Sequence, residues 1–173
     1  MSAGPAYPAL ATVAGIPAPG ELCRVVERVV LERTPKSDFL FTSGRPGRYN
    51  PRGIEALYAS EDQATAGAEA ERYRAGRVTQ NVVYWVRPNA LVLDLGNPTT
   101  VAALGLVEAD LFSDWKFAPA PTRSQLLGEE VAQQSRLAGI RFPSDAAKAR
   151  GFLGYNIVFF KKSVVTPSAI TVH

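Results

Sequence analysis

The alternation of apolar and polar residues predicts six strands along the chain. The two clearest are QNVVYWV at 80–86 and ALVLDL at 90–95, which are rich in β-branched residues and separated by a turn. ELCRVVERVVL at 21–31 favours a strand, with a short helix as the alternative. Three further runs complete the set, at 54–60, 139–144 and 155–160.

Capping residues predict three helices between these strands. One begins at a capping box, with Ser60 as the cap and Gln63 at the third helical position, and runs to Ala75 and a terminal Gly76. A short helix opens at Asn97, and a longer one spans 123–138. Because strands and helices do not alternate in regular βαβ units, the sequence predicts an α+β fold, with a mixed β-sheet core and flanking helices.

Proline and glycine mark the remaining segments as irregular. The four prolines in residues 1–20 exclude a regular helix or central strand, so we expect an extended arm that is free or lies on the surface. Residues 21–173 then form a single domain. The segment 34–53 is loop-like, and within it Asn50–Gly53 has the residues of a type I turn. A second predicted loop, 109–121, carries Trp115.

Composition and charge narrow the class of protein. With 46% apolar and 20% charged residues the chain is an ordinary globular protein. A net charge of +3 argues against a dedicated nucleic-acid binder and is compatible with a small anionic ligand. Because Cys23 is the only cysteine, no intrachain disulfide can form, which favours the reducing cytoplasm.

Several features are missing from the sequence. There is no long apolar run and no basic-then-apolar leader, so we expect neither a membrane span nor a signal peptide. The only histidine is His173, so we expect neither a histidine-based catalytic pair nor a metal site. The Rossmann glycine pattern, the P-loop and the nucleophile elbow are also absent, so a bound nucleotide would be held by other means.

One stretch carries candidate chemistry. GRYNPRGIEALYASEDQATAGAEAE contains Arg48, Tyr58 and Glu69. Taken singly, these fit a surface charge, a core ring and a solvent-exposed helix residue. Taken together, they suit an anionic ligand with an aromatic ring, because arginine binds phosphate and tyrosine stacks on rings. The carboxylate would stabilise positive charge on a ribose whose N-glycosidic bond breaks, as in NAD.

Four segments, in this order, resemble the RES-domain family, the toxins of bacterial toxin–antitoxin pairs. They are CRVV at 23–26, GRYNPRGIEALYAS at 47–60, TAGAE at 65–69 and LVLDLGNPTTVAALGL at 91–106. The resemblance covers residues 21–160. It implies a fold similar to that of the ADP-ribosyltransferases, with NAD as the substrate and no metal.

By position, the resemblance also implies roles for individual residues. Glu69 matches the catalytic glutamate, and Tyr58 is expected to stack on nicotinamide. Arg24 and Arg48 match the family's arginines, and either is expected to bind the pyrophosphate.

The family's serine has two candidates here. Ser144 matches one family pattern, and Thr122, followed by Gln125, matches another. Both candidates also fit as helix caps, and this alternative stays open. Tyr49 and Asn50 complete the expected ligand-binding set.

The resemblance leaves three functions open. The protein could deplete NAD by hydrolysis or phosphorolysis and so arrest growth, it could transfer ADP-ribose to a protein, or it could be a catalytically weak module that only pairs with an antitoxin. The retained Arg48, Tyr58 and Glu69 argue against the third. The implied partner is a helical, DNA-binding antitoxin, so the chain itself would not contact nucleic acid, and self-association is compatible with the family.

Overall fold

The structure is a computed structural model that describes residues 6–33, 41–74, 80–164 and 170–172. The strands are β1 (Ile16–Pro17), β2 (Leu22–Glu27), β3 (Ala56–Ser60), β4 (Asn81–Pro88), β5 (Leu91–Asp94), β6 (Gly139–Pro143), β7 (Tyr155–Phe160) and β8 (Ile170–Val172). The helices are α1 (Arg28–Arg33), α2 (Gln63–Arg74), α3 (Pro98–Ala103), α4 (Glu108–Leu111), α5 (Arg123–Gln133), α6 (Asp145–Ala149) and α7 (Lys161–Val164), preceded by a 3-10 turn at Pro8–Ala11.

The described strands form one 8-stranded sheet in the order β1-β5-β6-β7-β3-β2-β4-β8. β5 and β6 run parallel, and the other neighbouring pairs are antiparallel. The predicted α+β class is confirmed, and each predicted strand is present. At 21–31 both alternatives hold in part, because β2 ends at Glu27 and α1 begins at Arg28.

The sheet is almost divided between β2 and β3. β2 pairs with β4 from Leu22 to Glu27, and β3 pairs with β7 along its whole length. β2 and β3 themselves share the single pair Cys23–Ser60. The sheet therefore consists of two blocks of strands that are joined at one residue pair. Beyond that pair, β2 and β3 do not pair with each other.

Buried side chains cover both faces of the sheet in two clusters. Successive residues of β7 alternate between them, with Val158 and Phe160 in the larger cluster and Ile157 and Phe159 in the smaller. Burial on both faces explains why this strand reads as an almost continuous apolar run.

The described part of the N-terminal arm, residues 6–20, lies on the surface of the domain, the second of the two expected alternatives, and is anchored there by buried side chains. Tyr7 and Leu10 are buried in the larger cluster. The Tyr7 hydroxyl donates to the carbonyl of Arg123 at 2.7 Å, and β1 pairs with the edge strand β5. The prolines limit the arm to this short edge pairing.

Helix α2 begins differently from the prediction. Ser60 is the last residue of β3, and its hydroxyl bonds Asn156 instead of capping the helix. The cap is Asp62, whose carboxylate accepts from the Thr65 N–H at 2.8 Å and from the Thr65 hydroxyl at 2.7 Å. Both residue types cap helices well, and the strand pairing of Ser60 decides between them. The predicted end at Ala75 and Gly76 lies outside the described residues.

The predicted helix caps at Asn97 and Thr122 are confirmed, whereas one helix end and one turn differ from the prediction. Asn97 caps α3, and Thr122 opens α5 with a capping box, although α5 ends at Gln133 rather than 138. Short helix α4 overlaps the start of the segment 109–121 that was predicted to be a loop, and α6 follows the cap Ser144. The predicted type I turn is shifted by one residue: the N–H of Ile54 bonds the carbonyl of Pro51, and Gly53 has a φ of 93°. That angle is typical of a type II turn.

Gly128 tests how closely α5 approaches the loop before β3. A Cβ at this position would overlap the carbonyl oxygen of Tyr49. We expect Gly128→Ala to lower the free energy of unfolding by about 1–3 kcal/mol in urea titrations, because neither backbone can yield easily.

Gly67 is the matched control, since it is also a helical glycine. A Cβ there would meet no described atom within 4 Å. Gly67→Ala should raise the free energy of unfolding by about 0.4–1 kcal/mol, and an equal effect of the two changes would contradict the close approach.

Candidate functional site

A cavity of about 640 Å³ lies where β2 and β3 separate, which is within the size range of small-molecule sites. Its walls come from β2, β3, α2 and the loops 42–48 and 112–117, with single residues from β6, β7 and α6. Four of the predicted site residues line it together: Arg24, Arg48, Tyr58 and Glu69. The other five, Tyr49, Asn50, Thr122, Gln125 and Ser144, are not on its wall.

Glu69 contributes to the cavity wall from α2. Its Oε1 accepts hydrogen bonds from the Ser144 hydroxyl and from the Asn156 amide, both at 2.7 Å. Oε2 accepts no hydrogen bond from the described residues. The carboxylate is therefore held in one orientation, with one oxygen available to a ligand.

Ser144 caps a helix, one of the two roles that the sequence suggested, and also contacts Glu69. Its hydroxyl oxygen accepts from the Ala147 N–H at 3.1 Å as the cap of α6, and the hydroxyl donates to Glu69. Because Ser144 is only 2% exposed and lies off the cavity wall, it acts on the site through Glu69.

Asn156 and Ser60 also belong to the site, and the sequence reasoning missed them. Both line the cavity and sit opposite each other across β7 and β3. The Ser60 hydroxyl donates to Asn156 Oδ1 at 2.7 Å. One signal was available, because Asn156 is a polar residue inside the apolar run YNIVFF.

Arg24 places a largely shielded cation in the cavity wall. Its Nη1 donates to the Tyr58 carbonyl at 2.9 Å, while its Nε is shielded from solvent and bonds none of the described residues. No carboxylate of the described residues pairs with it. Burial lowers the pKa of the guanidinium to about 10, so Arg24 is charged at neutral pH.

Arg48 is partly occupied by protein acceptors. Its Nη1 donates to the carbonyls of Leu111 and Ser113, at 2.8 and 3.3 Å. Its Nη2 lies 3.7 Å from a carboxylate oxygen of Asp145, which also pairs with Arg72. Arg48 thus anchors the loop after α4 as well as lining the cavity, and Arg72, one turn after Glu69, adds a further cation to the wall.

Tyr58 is tied to the loop before it. Its hydroxyl donates to Asn50 Oδ1 at 2.8 Å and accepts from the Tyr49 N–H at 3.0 Å. A Cβ at Gly47 would lie 2.7 Å from this hydroxyl, so the glycine permits the contact. The Tyr58 ring is consequently fixed at the cavity wall by its own hydroxyl.

Tyr49 and Asn50 lie off the cavity wall, so their expected ligand-binding roles stay predictions. Asn50 is fully buried, and its amide donates to the carbonyls of Arg45 and Ile54, both at 2.8 Å. Tyr49 lies in the core with its ring 4.4 Å from that of Phe142, and its hydroxyl bonds none of the described residues. In the structure, the contacts of both residues are with the protein and shape the loop.

Thr122 and Gln125 likewise lie off the cavity wall, and their expected ligand binding stays a prediction. They form the capping box of α5. The Gln125 amide also donates to the Gly47 carbonyl at 2.8 Å. The helix cap and the loop that carries Arg48 are therefore joined by a single side chain.

Aromatic residues of the 112–117 loop form the remaining wall. Phe112, Trp115 and Phe117 all line the cavity, and Phe117 is 84% exposed. Lys116 lies 5.8 Å from the centre of the Trp115 ring. The sequence marked Trp115 only as a loop residue, since a loop pattern does not reveal what it faces.

In the described ranges no three His, Cys, Asp or Glu side chains come together as a metal site would require. No helix within those ranges is long and apolar enough to cross a membrane.

The chain is thus an α+β domain whose sheet opens around a cavity lined by arginines, a tyrosine and an oriented glutamate. The chain belongs to the RES domain family, whose family model matches residues 22–172. Among solved structures it is similar to the M. tuberculosis MbcT-MbcA toxin-antitoxin complex, with a TM-score of 0.72 and 19% identity over 99% of this chain and 90% of that one. At this identity the likeness supports the fold alone. No curated protein matches the chain.

The buried hydroxyl of Tyr49 predicts how the stability of the protein depends on pH. Burial raises the pKa of its hydroxyl, so the folded protein keeps the proton that the unfolded chain loses near pH 10. Stability is therefore retained below about pH 10 and lost above it, by up to about 1.4 kcal/mol per pH unit.

We expect Tyr49→Phe to reduce the loss of stability above about pH 10, because the titrating hydroxyl is absent. We also expect it to raise stability at pH 7 by about 1 kcal/mol, because a buried unpaired hydroxyl is removed. Thermal melts between pH 7 and 11 measure both effects. The alkaline loss that remains includes Tyr7, whose pKa is also raised by burial. Parallel curves for the variant and the wild type would contradict the prediction.

Proposed function

We propose that this protein is the toxin of a toxin–antitoxin pair and that it breaks the bond between nicotinamide and ribose in NAD. One observation carries the proposal. The same cavity contains an oriented carboxylate, Glu69, and a shielded guanidinium, Arg24, that pairs with no carboxylate of the described residues. Membership of the RES domain family and the toxin–antitoxin complex found among similar folds support it.

Glu69 has the geometry for the charge-stabilising role. When the N-glycosidic bond breaks, positive charge develops on the ribose and nicotinamide departs as a neutral molecule. A carboxylate held at a fixed position stabilises that charge without reorganising, which lowers the barrier more than it strengthens substrate binding. Ser144 and Asn156 hold Oε1 and leave Oε2 for the sugar.

Arg24 has the properties expected of a pyrophosphate ligand. A shielded guanidinium that has unused donors and no counterion is costly to the folded protein, and an incoming diphosphate would relieve that cost. Arg48 and Arg72 share Asp145 and are thus partly neutralised. We assign the pyrophosphate mainly to Arg24.

Aromatic residues supply surfaces for the two rings of a dinucleotide. Tyr58, with its hydroxyl fixed, would stack on the nicotinamide near Glu69. Trp115 and Phe117 on the opposite loop would contact the other base. Base–aromatic stacking is sequence-tolerant and contributes about 1–3 kcal/mol per base, so it fits a substrate held without a nucleotide-binding motif.

The partner is proposed by analogy with the neighbouring complex, whose toxin is bound to an antitoxin. We propose that an antitoxin covers the cavity of this chain and that any contact with DNA belongs to that partner. The water, phosphate or protein group that attacks the ribose is left to experiment.

Incubation of the purified protein with NAD, with and without inorganic phosphate, tests the reaction. Free ADP-ribose indicates hydrolysis, a phosphorylated ADP-ribose indicates phosphorolysis, and label from NAD on a protein in lysate indicates transfer. Intact NAD after incubation with antitoxin-free protein would overturn the proposal.

Glu69→Gln separates charge from shape. The glutamine oxygen can still accept from Ser144 and Asn156, so the melting temperature should change little. NAD consumption should fall by about 100-fold or more, because charge stabilisation in the transition state is lost. Glu71→Gln is the control: this exposed residue is on the same helix and pairs with Arg150, and its loss should leave NAD consumption unchanged. Similar rates for the two variants would contradict the role of Glu69.

Arg24→Met tests the anion site without catalysis. ADP-ribose should raise the melting temperature of the wild type and have no effect on the variant, since the diphosphate has lost its main cation. The ligand-free variant loses a shielded unpaired charge but also the hydrogen bond to the Tyr58 carbonyl, and these two changes act on its melting temperature in opposite directions. A shift of equal size in both proteins would assign the diphosphate elsewhere.

A further inference from the structure

Two polar residues on adjacent strands of the sheet point to a device that orients the site. Ser60 and Asn156 are 4% and 6% exposed and lie directly opposite each other on β3 and β7. Buried polar side chains destabilise a fold unless they are hydrogen-bonded. Here both are bonded, and the chain of bonds leads to Glu69.

The direction of this chain is set by Glu69, because a carboxylate oxygen accepts hydrogen bonds. Asn156 Nδ2 donates to Glu69 Oε1, so its Oδ1 is left to accept from the Ser60 hydroxyl. If the amide were reversed, Oδ1 would face a carboxylate oxygen with no hydrogen between them. Ser60 therefore satisfies the amide oxygen in the one orientation that bonds Glu69.

We infer that Asn156 is a positioning residue for Glu69 and that Ser60 anchors the oxygen of its amide. This inference rests on the proposed function of Glu69. Asn156 connects the carboxylate on α2 to the floor of the sheet, and Ser144 connects it to α6. Ser144 alone would leave a carboxylate free to swing about one hydroxyl, whereas two donors from different elements fix the oxygen that is turned to the ribose.

Other charges share the cavity with Glu69 and bear on any dependence on pH. These charges are Arg24 on β2, Arg48 in the loop before β3, Arg72 on α2 and Asp145 on α6. Asp114 and Lys116 lie in the 112–117 loop. None of these changes when residue 156 is replaced, so a shift in a pH profile between variants reports on the local pair.

The first test is kinetic. Asn156→Ala should lower kcat for NAD cleavage by about 10- to 100-fold with KM within about twofold, because the carboxylate is displaced while the binding groups stay. Ser60→Ala should give a smaller loss of the same kind. Thr65→Val is the control, since it removes a buried hydroxyl bond on α2 without touching Glu69, and it should keep kcat. A rise in KM at constant kcat would overturn the inference, because Asn156 would then bind substrate instead.

The second test uses Asn156→Asp, which keeps the shape and places a carboxyl group against Glu69. Two carboxyl groups at this distance share a proton, so the acid limb of the kcat/KM profile should move up by about one pH unit or more. A residue with only a structural role would give the same loss at every pH. Coincident acid limbs for the variant and the wild type would overturn the inference.

A readout without substrate keeps this test independent of the proposed function. The shared proton is bound more tightly in the folded variant than in the unfolded chain, where carboxyls titrate near pH 4. The melting temperature of Asn156→Asp should therefore match the wild type at about pH 4 and fall progressively below it toward neutral pH. A deficit that does not depend on pH would show that residue 156 does not face the carboxyl group of Glu69. If this pattern appears while NAD stays intact, the positioning contact holds and the proposed reaction fails.

Discussion

The hydrogen bond from Arg24 to the carbonyl of Tyr58 is the contact on which the cavity depends. Continuing the Cys23–Ser60 pairing would set Val25 opposite Tyr58 and close the sheet. Instead a side chain from β2 takes the place of a backbone donor, so the exposed carbonyl is satisfied and the strands stay apart. The same guanidinium places its charge in the gap that it holds open. The Arg24 side chain thus accounts both for the gap between β2 and β3 and for the positive charge in that gap.

Around this gap, side chains that bond the backbone hold the catalytic geometry. Tyr58 bonds the loop before β3, Asn50 closes that loop, and Gln125 connects it to α5. Gly128 lets α5 approach the same loop closely. The cavity wall is therefore a set of rigid elements, in which the ring of Tyr58 and the carboxylate of Glu69 have little freedom. Such preorganisation favours chemistry that stabilises a short-lived charge.

Sequence patterns predicted the strands well because each apolar run is bounded by turn residues, and they placed Arg24, Arg48, Tyr58 and Glu69, which share the cavity. They erred where two local solutions compete. Ser60 and Asp62 can both cap a helix, and only the partner strand reveals which one does. Tyr49 and Asn50 match the family pattern as well as Arg48 does, yet a pattern cannot distinguish a residue that touches a ligand from one that shapes the loop. Asn156 was missed because its importance lies in a contact across strands.

The two donors to Glu69 come from distant parts of the chain. Ser144 and Asn156 follow Glu69 by 75 and 87 residues. During synthesis the chain emerges from its N-terminus, and contacts between remote residues form late. Arg24, Arg48, Tyr58 and Glu69 all leave the ribosome well before the carboxylate can be oriented. A nascent chain therefore cannot hold the Glu69 carboxylate in its final orientation until β7 has been made and paired.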